Sequence, residues 1–197
     1  MTGFDLDRFY ATEFDEHAAV LRATREALAA EFRKLVAAAV SSVKSGGKLL
    51  FFGNGGSASD AQHLATELTV RYVKNREPIP AIALTTDTSA LTAIGNDLGF
   101  DRLFSRQVEA LGRRGDLAIG ITTSGNSPNV IEALKSAKRM GLTTAALTGC
   151  GGGAVKGLAD PCLIVPSNTT ARIQEMHIML GQMLCGALEI ELGLISA

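Results

Sequence analysis

The stretch Lys48-Leu49-Leu50-Phe51-Phe52, followed by Gly53-Asn54-Gly55-Gly56-Ser57, decides the fold. A short apolar run that ends in glycine and leads into a helical pattern predicts a strand buried on both faces, then a loop and a helix. The same alternation recurs along the chain, with strands predicted over 48–52, 81–86, 117–122, 143–148 and 162–165. Alternation of this kind is typical of a parallel sheet covered by helices. We therefore predict an α/β protein, a three-layer αβα sandwich with a five-stranded parallel sheet.

The segment upstream of the first strand has a different pattern. Residues 6–43 are rich in Ala and Leu and free of Gly and Pro, and their apolar residues recur at helical spacing. We predict two N-terminal helices, the second ending at Gly46 and Gly47. No linker or internal repeat is visible, so we expect a single domain over 1–197, with N-terminal helices at 1–45 and a sheet-and-helix core at 46–197.

Composition excludes several classes of protein. The 197 residues carry 19 Lys and Arg against 20 Asp and Glu, and a net charge of −1 argues against nucleic acid or an anionic membrane as partner. Glycine is enriched, at 21 residues, which favours a binding site built from backbone. The three cysteines form no C-x-x-C pair, and no secretory signal or membrane-length apolar run is present. We expect a cytoplasmic protein.

Two strand ends carry loops rich in small polar residues, at 53–60 and 121–128. Backbone N–H groups at a helix N-terminus, together with hydroxyl donors, suit a phosphate. The alternative is ordinary helix capping and turn chemistry, but two such loops in one domain favour a phosphate site. Neither loop matches the P-loop pattern, and Gly53-x-Gly55-x-x-Ala58 lacks the acidic residue of a dinucleotide site, so a nucleotide cofactor is not favoured.

Polar side chains on two predicted helices could carry the chemistry. His63 and Glu67 are four residues apart, so they share a helical face and suit either one metal ion or an acid–base pair, the alternative being a surface contact. In the last helix, Gln174 and Gln182 lie about 80° apart around the axis, and structural hydrogen bonding is an equal alternative for both. Arg71 is either a phosphate or carboxylate partner or, more often for such a residue, a surface cation.

These motifs together resemble those of the bacterial phosphoheptose isomerases, which are members of the sugar isomerase (SIS) family. The resemblance covers nearly the whole chain and is weakest over the first forty residues. It is carried by 53–57, Asp60-Ala61-Gln62-His63, Glu67-Leu68, Ile94-Gly95-Asn96-Asp97, Phe104-Ser105-Arg106-Gln107, 123–127 and Arg172-Ile173-Gln174-Glu175. It implies a flavodoxin-like SIS fold and a homotetramer. It also implies conversion of sedoheptulose 7-phosphate to D-glycero-D-manno-heptose 7-phosphate through an enediol, towards ADP-heptose and the lipopolysaccharide core.

The resemblance also implies roles for individual residues. Glu67 would be the catalytic base, and Gln182 occupies the position of a second acid/base. One zinc ion per subunit would be held by His63, Glu67, Gln174 and Gln182. The implied substrate-binding residues are Asn54, Gly55, Gly56, Ser57, Arg71, Asn96, Asp97, Thr122, Thr123, Ser124, Ser127 and Gln174.

One position departs from the family pattern. Where the family has a metal-ligating histidine, this chain has Gln182, whose amide cannot exchange protons near neutral pH. Two alternatives to a phosphoheptose isomerase therefore stand: an SIS protein for a different phosphosugar, and a non-catalytic relative such as the DnaA initiator-associating protein. The presence of both Glu67 and His63 favours the isomerase.

Overall fold

The predicted strands form one all-parallel sheet in the computed structural model, which describes residues 3–196. The strands are β1 (Leu49–Gly53), β2 (Ala81–Ala83), β3 (Leu117–Thr122), β4 (Thr143–Thr148) and β5 (Cys162–Ile164). Their order is β2-β1-β3-β4-β5, with Leu49 paired to both Ala81 and Leu117. This is the order of flavodoxin-like sheets, so the predicted topology is confirmed.

Helices cover both faces of the sheet. They are α1 (Leu6–Lys44), α2 (Gly56–Thr69), α3 (Thr88–Asp97), α4 (Ser105–Leu111), α5 (Pro128–Arg139) and α6 (Thr170–Glu191), with 3₁₀ turns at Phe100–Arg102 and Cys150–Gly157. Alternate residues of β1 enter two separate cores, Leu49 and Phe51 on the side of α1, α2 and α6, and Leu50 and Phe52 on the side of α4 and α5. The predicted three-layer sandwich is therefore confirmed.

The N-terminal segment corrects one prediction, because α1 is a single helix of 39 residues and not two helices. Asp5 begins it by accepting a hydrogen bond from the backbone N–H of Arg8 at 2.9 Å. No glycine or proline interrupts 6–44, and one buried stripe runs along its second half through Leu28, Leu35 and Ala39. A helix with no residue that breaks it and a continuous apolar face has no reason to end early. Within residues 3–196, no helix combines the length and apolarity needed to cross a membrane.

The helical pattern that follows the first polar loop extends over 57–73, but α2 ends earlier, at Thr69. The carbonyl of Leu68 accepts hydrogen bonds from the backbone N–H of Ile79 and the guanidinium of Arg76, so α2 stops where later chain supplies its last partners. Arg71 consequently lies in the loop after α2. Strand β2 likewise ends three residues before the predicted limit, at Ala83.

A close approach of backbones fixes the end of β1. A Cβ atom added at Gly53 would lie 2.5 Å from the carbonyl oxygen of Ile121 in β3 and 2.7 Å from Cβ of Ser57. Only glycine fits there, because the nearest atom belongs to the backbone of a neighbouring strand.

We predict that Gly53→Ala lowers the free energy of unfolding by about 1–3 kcal/mol, because the added methyl group must push β3 away. Gly95→Ala is the matched control: it lies in α3, where no atom is within 4 Å of the added methyl group. The control should raise stability by about 0.5–1 kcal/mol. Urea unfolding at constant m-value measures both, and equal midpoints for the two variants would contradict this account.

A second prediction concerns His177 of α6, whose side chain is 0% exposed. Burial lowers its pKa to about 4 from 6.5, and the Thr148 backbone offsets the shift only in part. Between these values the unfolded chain binds more protons, so the contribution of a neutral His177 to stability is fully present above pH 6.5 and is lost as the pH drops towards 4. The shift corresponds to about 3 kcal/mol.

We expect His177→Leu to remove this contribution to the pH dependence, measured as urea midpoints at intervals between pH 4 and 7. A variant with the same slope as the parent protein would show that other groups cause the loss.

Candidate active site

The two polar loops lie side by side at the carboxyl edge of the sheet. Their strands are neighbours, with Gly53 of β1 opposite Ile121 of β3. A pair of hydrogen bonds, each 2.8 Å, joins the side-chain amides of Asn54 and Asn129 reciprocally. The strand order reverses between β1 and β3, and ligands of open α/β sheets bind in the crevice at such a point.

The loops present hydroxyls and two helix N-termini to this crevice. The hydroxyl of Thr122 lies 3.0 Å from that of Ser127, and the hydroxyl of Ser124 accepts a hydrogen bond from the N–H of Asn126 at 3.1 Å. Ser127 precedes α5 but does not cap it with its side chain, and Gly55 precedes α2 with no side chain to offer. Uncapped N–H groups beside hydroxyls can bind a phosphate.

The side chain of Gln174, on α6, lies beside the polar loop that precedes α2. A Cβ atom at Gly56 would overlap the side-chain amide of Gln174, so this amide lies directly over the first residue of α2. The absence of a side chain at position 56 is what allows the approach. Gln174 can therefore contact a ligand at the loops.

A second cluster lies further along the same two helices. His63 Nε2 is 3.1 Å from Glu67 Oε1, and Gln182 Nε2 is 3.4 Å from His63 Nε2. The Glu67 side chain is 23% exposed and that of His63 is 47% exposed, so both can be reached by a small molecule. Gln182 follows Gln174 by eight residues, a rise of about 12 Å along α6.

The second cluster suits zinc in donor type and spacing. Zinc takes imidazole nitrogen and carboxylate oxygen at about 2.0–2.1 Å, which puts neighbouring ligands of a tetrahedral ion about 3.3 Å apart. The distances of 3.1 and 3.4 Å are close to this value, with the amide of Gln182 turned to present its oxygen. Nowhere in residues 3–196 do three or more His, Cys, Asp or Glu side chains gather for a metal. The fit is thus to an ion held by two strong ligands and one weak one.

Three of the predicted substrate-binding residues are exposed and hydrogen-bond within their own segments. Asn96 and Asp97 are exposed in the last turn of α3 and hydrogen-bond each other at 2.7 Å. Arg71 is exposed and donates to Asn75 at 2.6 Å. The sequence analysis did not identify Asn129. A signal was available, because Asn129 is an amide at the second position of α5, directly after a polar loop.

Comparison with known proteins agrees with this geometry. Residues 14–149 match the model of the SIS domain family. A phosphoheptose isomerase of Paramagnetospirillum magneticum is 59% identical over 181 residues, which are 92% of this chain and 94% of that protein.

Two solved structures are also close to this chain. The phosphoheptose isomerase of Neisseria gonorrhoeae has a TM-score of 0.88 and 45% identity, and the match covers 94% of this chain and 99% of that one. That of Francisella tularensis has a TM-score of 0.90 and 38% identity, covering 94% and 98%. Identity of this extent, together with a shared fold, establishes that the chain belongs to the phosphoheptose isomerases of the SIS domain family.

Proposed function

We propose that this protein interconverts sedoheptulose 7-phosphate and D-glycero-D-manno-heptose 7-phosphate. The observation that carries the proposal is the position of the Glu67 carboxylate, partly exposed on the helix that begins at the first polar loop. His63 and Glu67 follow Gly56 by about 10 and 16 Å along that helix. A heptose 7-phosphate has its phosphate and its carbonyl at opposite ends of the carbon chain, so it needs two subsites, one for each end.

Glu67 acts as the base in this proposal. Its carboxylate removes a proton from C1 of the ketose, which gives the anionic form of the enediol. The hydroxyl proton of C1 passes to the oxygen at C2, and a proton delivered to C2 then completes the aldose. Gln182 cannot exchange protons, so the same carboxylate carries the proton between the two carbons. The NH2 group of the Gln182 amide can donate a hydrogen bond to an oxygen of the reacting end.

We extend the proposal to zinc as cofactor, held by His63, Glu67 and Gln182. When bound, the ion would polarise the substrate carbonyl as a Lewis acid. Gln174, which the family resemblance also implies as a ligand, lies over Gly56 in this chain, so here it is assigned to the substrate and not to the ion.

Assembly as a homotetramer in a reducing cytoplasm completes the proposal. Large apolar side chains are exposed on the first turns of α1, among them Tyr10 at 65%. An apolar cavity of about 400 Å³ lies between α1 and α6, lined by Leu21, Leu28, Phe32, Met179 and Met183 among others. Further copies of the chain would cover both surfaces. Free cysteines at positions 150, 162 and 185 suit a reducing compartment.

The alternatives have less support. A non-catalytic protein-binding relative would have no need of a carboxylate and an imidazole 3.1 Å apart beside intact polar loops. Relatives at 54–60% identity, including one from Campylobacter concisus, carry the name phosphoheptose isomerase. The isomerase is therefore the function we put forward.

We predict that Glu67→Gln lowers kcat for sedoheptulose 7-phosphate by at least about 10³-fold, because an amide cannot accept the proton. Substrate should still bind, since the polar loops are unchanged. Aldose formation measured by NMR gives turnover, and calorimetry gives binding.

Glu132→Gln is the matched control, because it removes the same charge from an exposed i,i+3 pair with Lys135 on α5. It should keep full activity. A Glu67→Gln variant that turns over like this control would place the base elsewhere.

We also predict that Gln182→His strengthens zinc binding by about tenfold or more, because an imidazole replaces a weak amide ligand in the cluster. Competition with a chromogenic chelator measures the affinity independently of activity. Identical zinc affinities of the parent protein and the variant would show that position 182 does not ligate the ion.

A further inference from the structure

We propose that the buried Arg76–Glu189 ion pair is a positioning device for Glu67, a role that rests on the function proposed above. Arg76 lies in the loop after α2, and Glu189 lies near the end of α6. Neither side chain is more than 1% exposed. The pair touches the two helices whose side chains form the second cluster, so it can fix the position of one helix relative to the other.

The contacts of Arg76 are concentrated on the end of α2. One terminal nitrogen of its guanidinium donates to the backbone carbonyl of Glu67 at 2.8 Å, and the other donates to that of Leu68 at 2.7 Å. The Nε–H donates to Glu189 Oε1 at 2.8 Å, and the same oxygen accepts the backbone N–H of Tyr72 at 3.0 Å. A single side chain thus holds the carbonyl of the catalytic base itself.

The chemistry of a helix C-terminus explains why an arginine is needed. The last carbonyls of a helix have no partner within it, and α2 is followed by Val70 and not by a glycine that could turn the chain back onto them. The guanidinium replaces that cap and places a positive charge at the negative end of the helix. Burying two charges is costly unless they are paired and hydrogen-bonded, and such a pair is poor evidence of added stability. We therefore assign it a role in geometry.

Close packing makes α2 and α6 act together. A Cβ atom at Gly181 would lie 2.5 Å from Leu64, and the thiol of Cys185 lies 3.9 Å from the Leu64 carbonyl oxygen. One turn beyond, Gly186 lies against Tyr72. The two helices run parallel in register, so a shift in the last turn of α2 changes the distance from Glu67 to Gln182. Displacing a catalytic group by about 1 Å can cost about 100-fold in rate.

The test replaces the pair by neutral side chains of similar size. Arg76→Met with Glu189→Gln removes both charges and the carbonyl contacts but keeps an acceptor for the Tyr72 N–H. The control is Lys48→Met with Asp116→Asn, which removes the Lys48 Nζ–Asp116 Oδ2 ion pair of 2.6 Å at the amino ends of β1 and β3, the opposite edge of the sheet.

Two readouts are required from the zinc-loaded proteins: kcat and KM for sedoheptulose 7-phosphate, and hydrogen exchange of the backbone amides at 68–70. For the Arg76/Glu189 variant we expect kcat to fall about 100-fold with KM unchanged within about threefold, because the phosphate loops lie at the other end of α2. Its amides at 68–70 should exchange at least about tenfold faster. The control should change neither readout by more than about threefold.

The outcomes separate this inference from the proposed function. A kcat equal to that of the control, or a loss of kcat without faster exchange at 68–70, overturns the positioning role. If the parent protein does not isomerise the substrate, the proposed function fails. Unchanged exchange at 68–70 in the Arg76/Glu189 variant would then also show that the ion pair does not fix the end of α2.

Discussion

At the end of β1 the backbone passes so close to β3 that residue 53 has no room for a side chain. The rest of the site depends on this contact. It places the loop after β1 against the loop after β3, where the amides of Asn54 and Asn129 join them. It also sets where α2 begins, and α2 carries His63 and Glu67 along the edge of the crevice. A substrate held at the loops by its phosphate would therefore extend towards the carboxylate.

The charges of the chain also determine how the site can bind an anion. A net charge of −1 offers no basic excess for an anion, so phosphate binding would use backbone N–H groups and hydroxyls of the loops. The buried guanidinium of Arg76 donates its hydrogen bonds to backbone carbonyls and to Glu189, so it is not available to a phosphate. Gln182 cannot exchange protons, so Glu67 and His63 are the groups of the second cluster that can take up a proton. The catalytic burden in this account thus falls on one carboxylate.

Much of the fold and part of the site could be predicted from sequence, for local reasons. Apolar runs such as 48–52 and 117–122 indicated the sheet because a strand buried on both faces leaves a continuous pattern. The two polar loops were visible because small and hydroxylated residues cluster at strand ends. Pattern could not reveal what other segments decide, such as the end of α2, which depends on Arg76 and Ile79. The unbroken α1, by contrast, is consistent with the absence of glycine and proline from 6–44. The role of Asn129 and the position of Gln174 over Gly56 required coordinates, because both depend on how α2, α5 and α6 pack.

The central claim is that a carboxylate moves a proton between adjacent carbons of a heptose phosphate. The most direct measurement is turnover of sedoheptulose 7-phosphate by the zinc-loaded protein in D₂O, followed by NMR of the aldose product. Because the Glu67 side chain is 23% exposed, the proton it carries should exchange with solvent, and we predict deuterium at C2 of the product. Aldose formed with only protium at C2, or no aldose at all, would contradict the account.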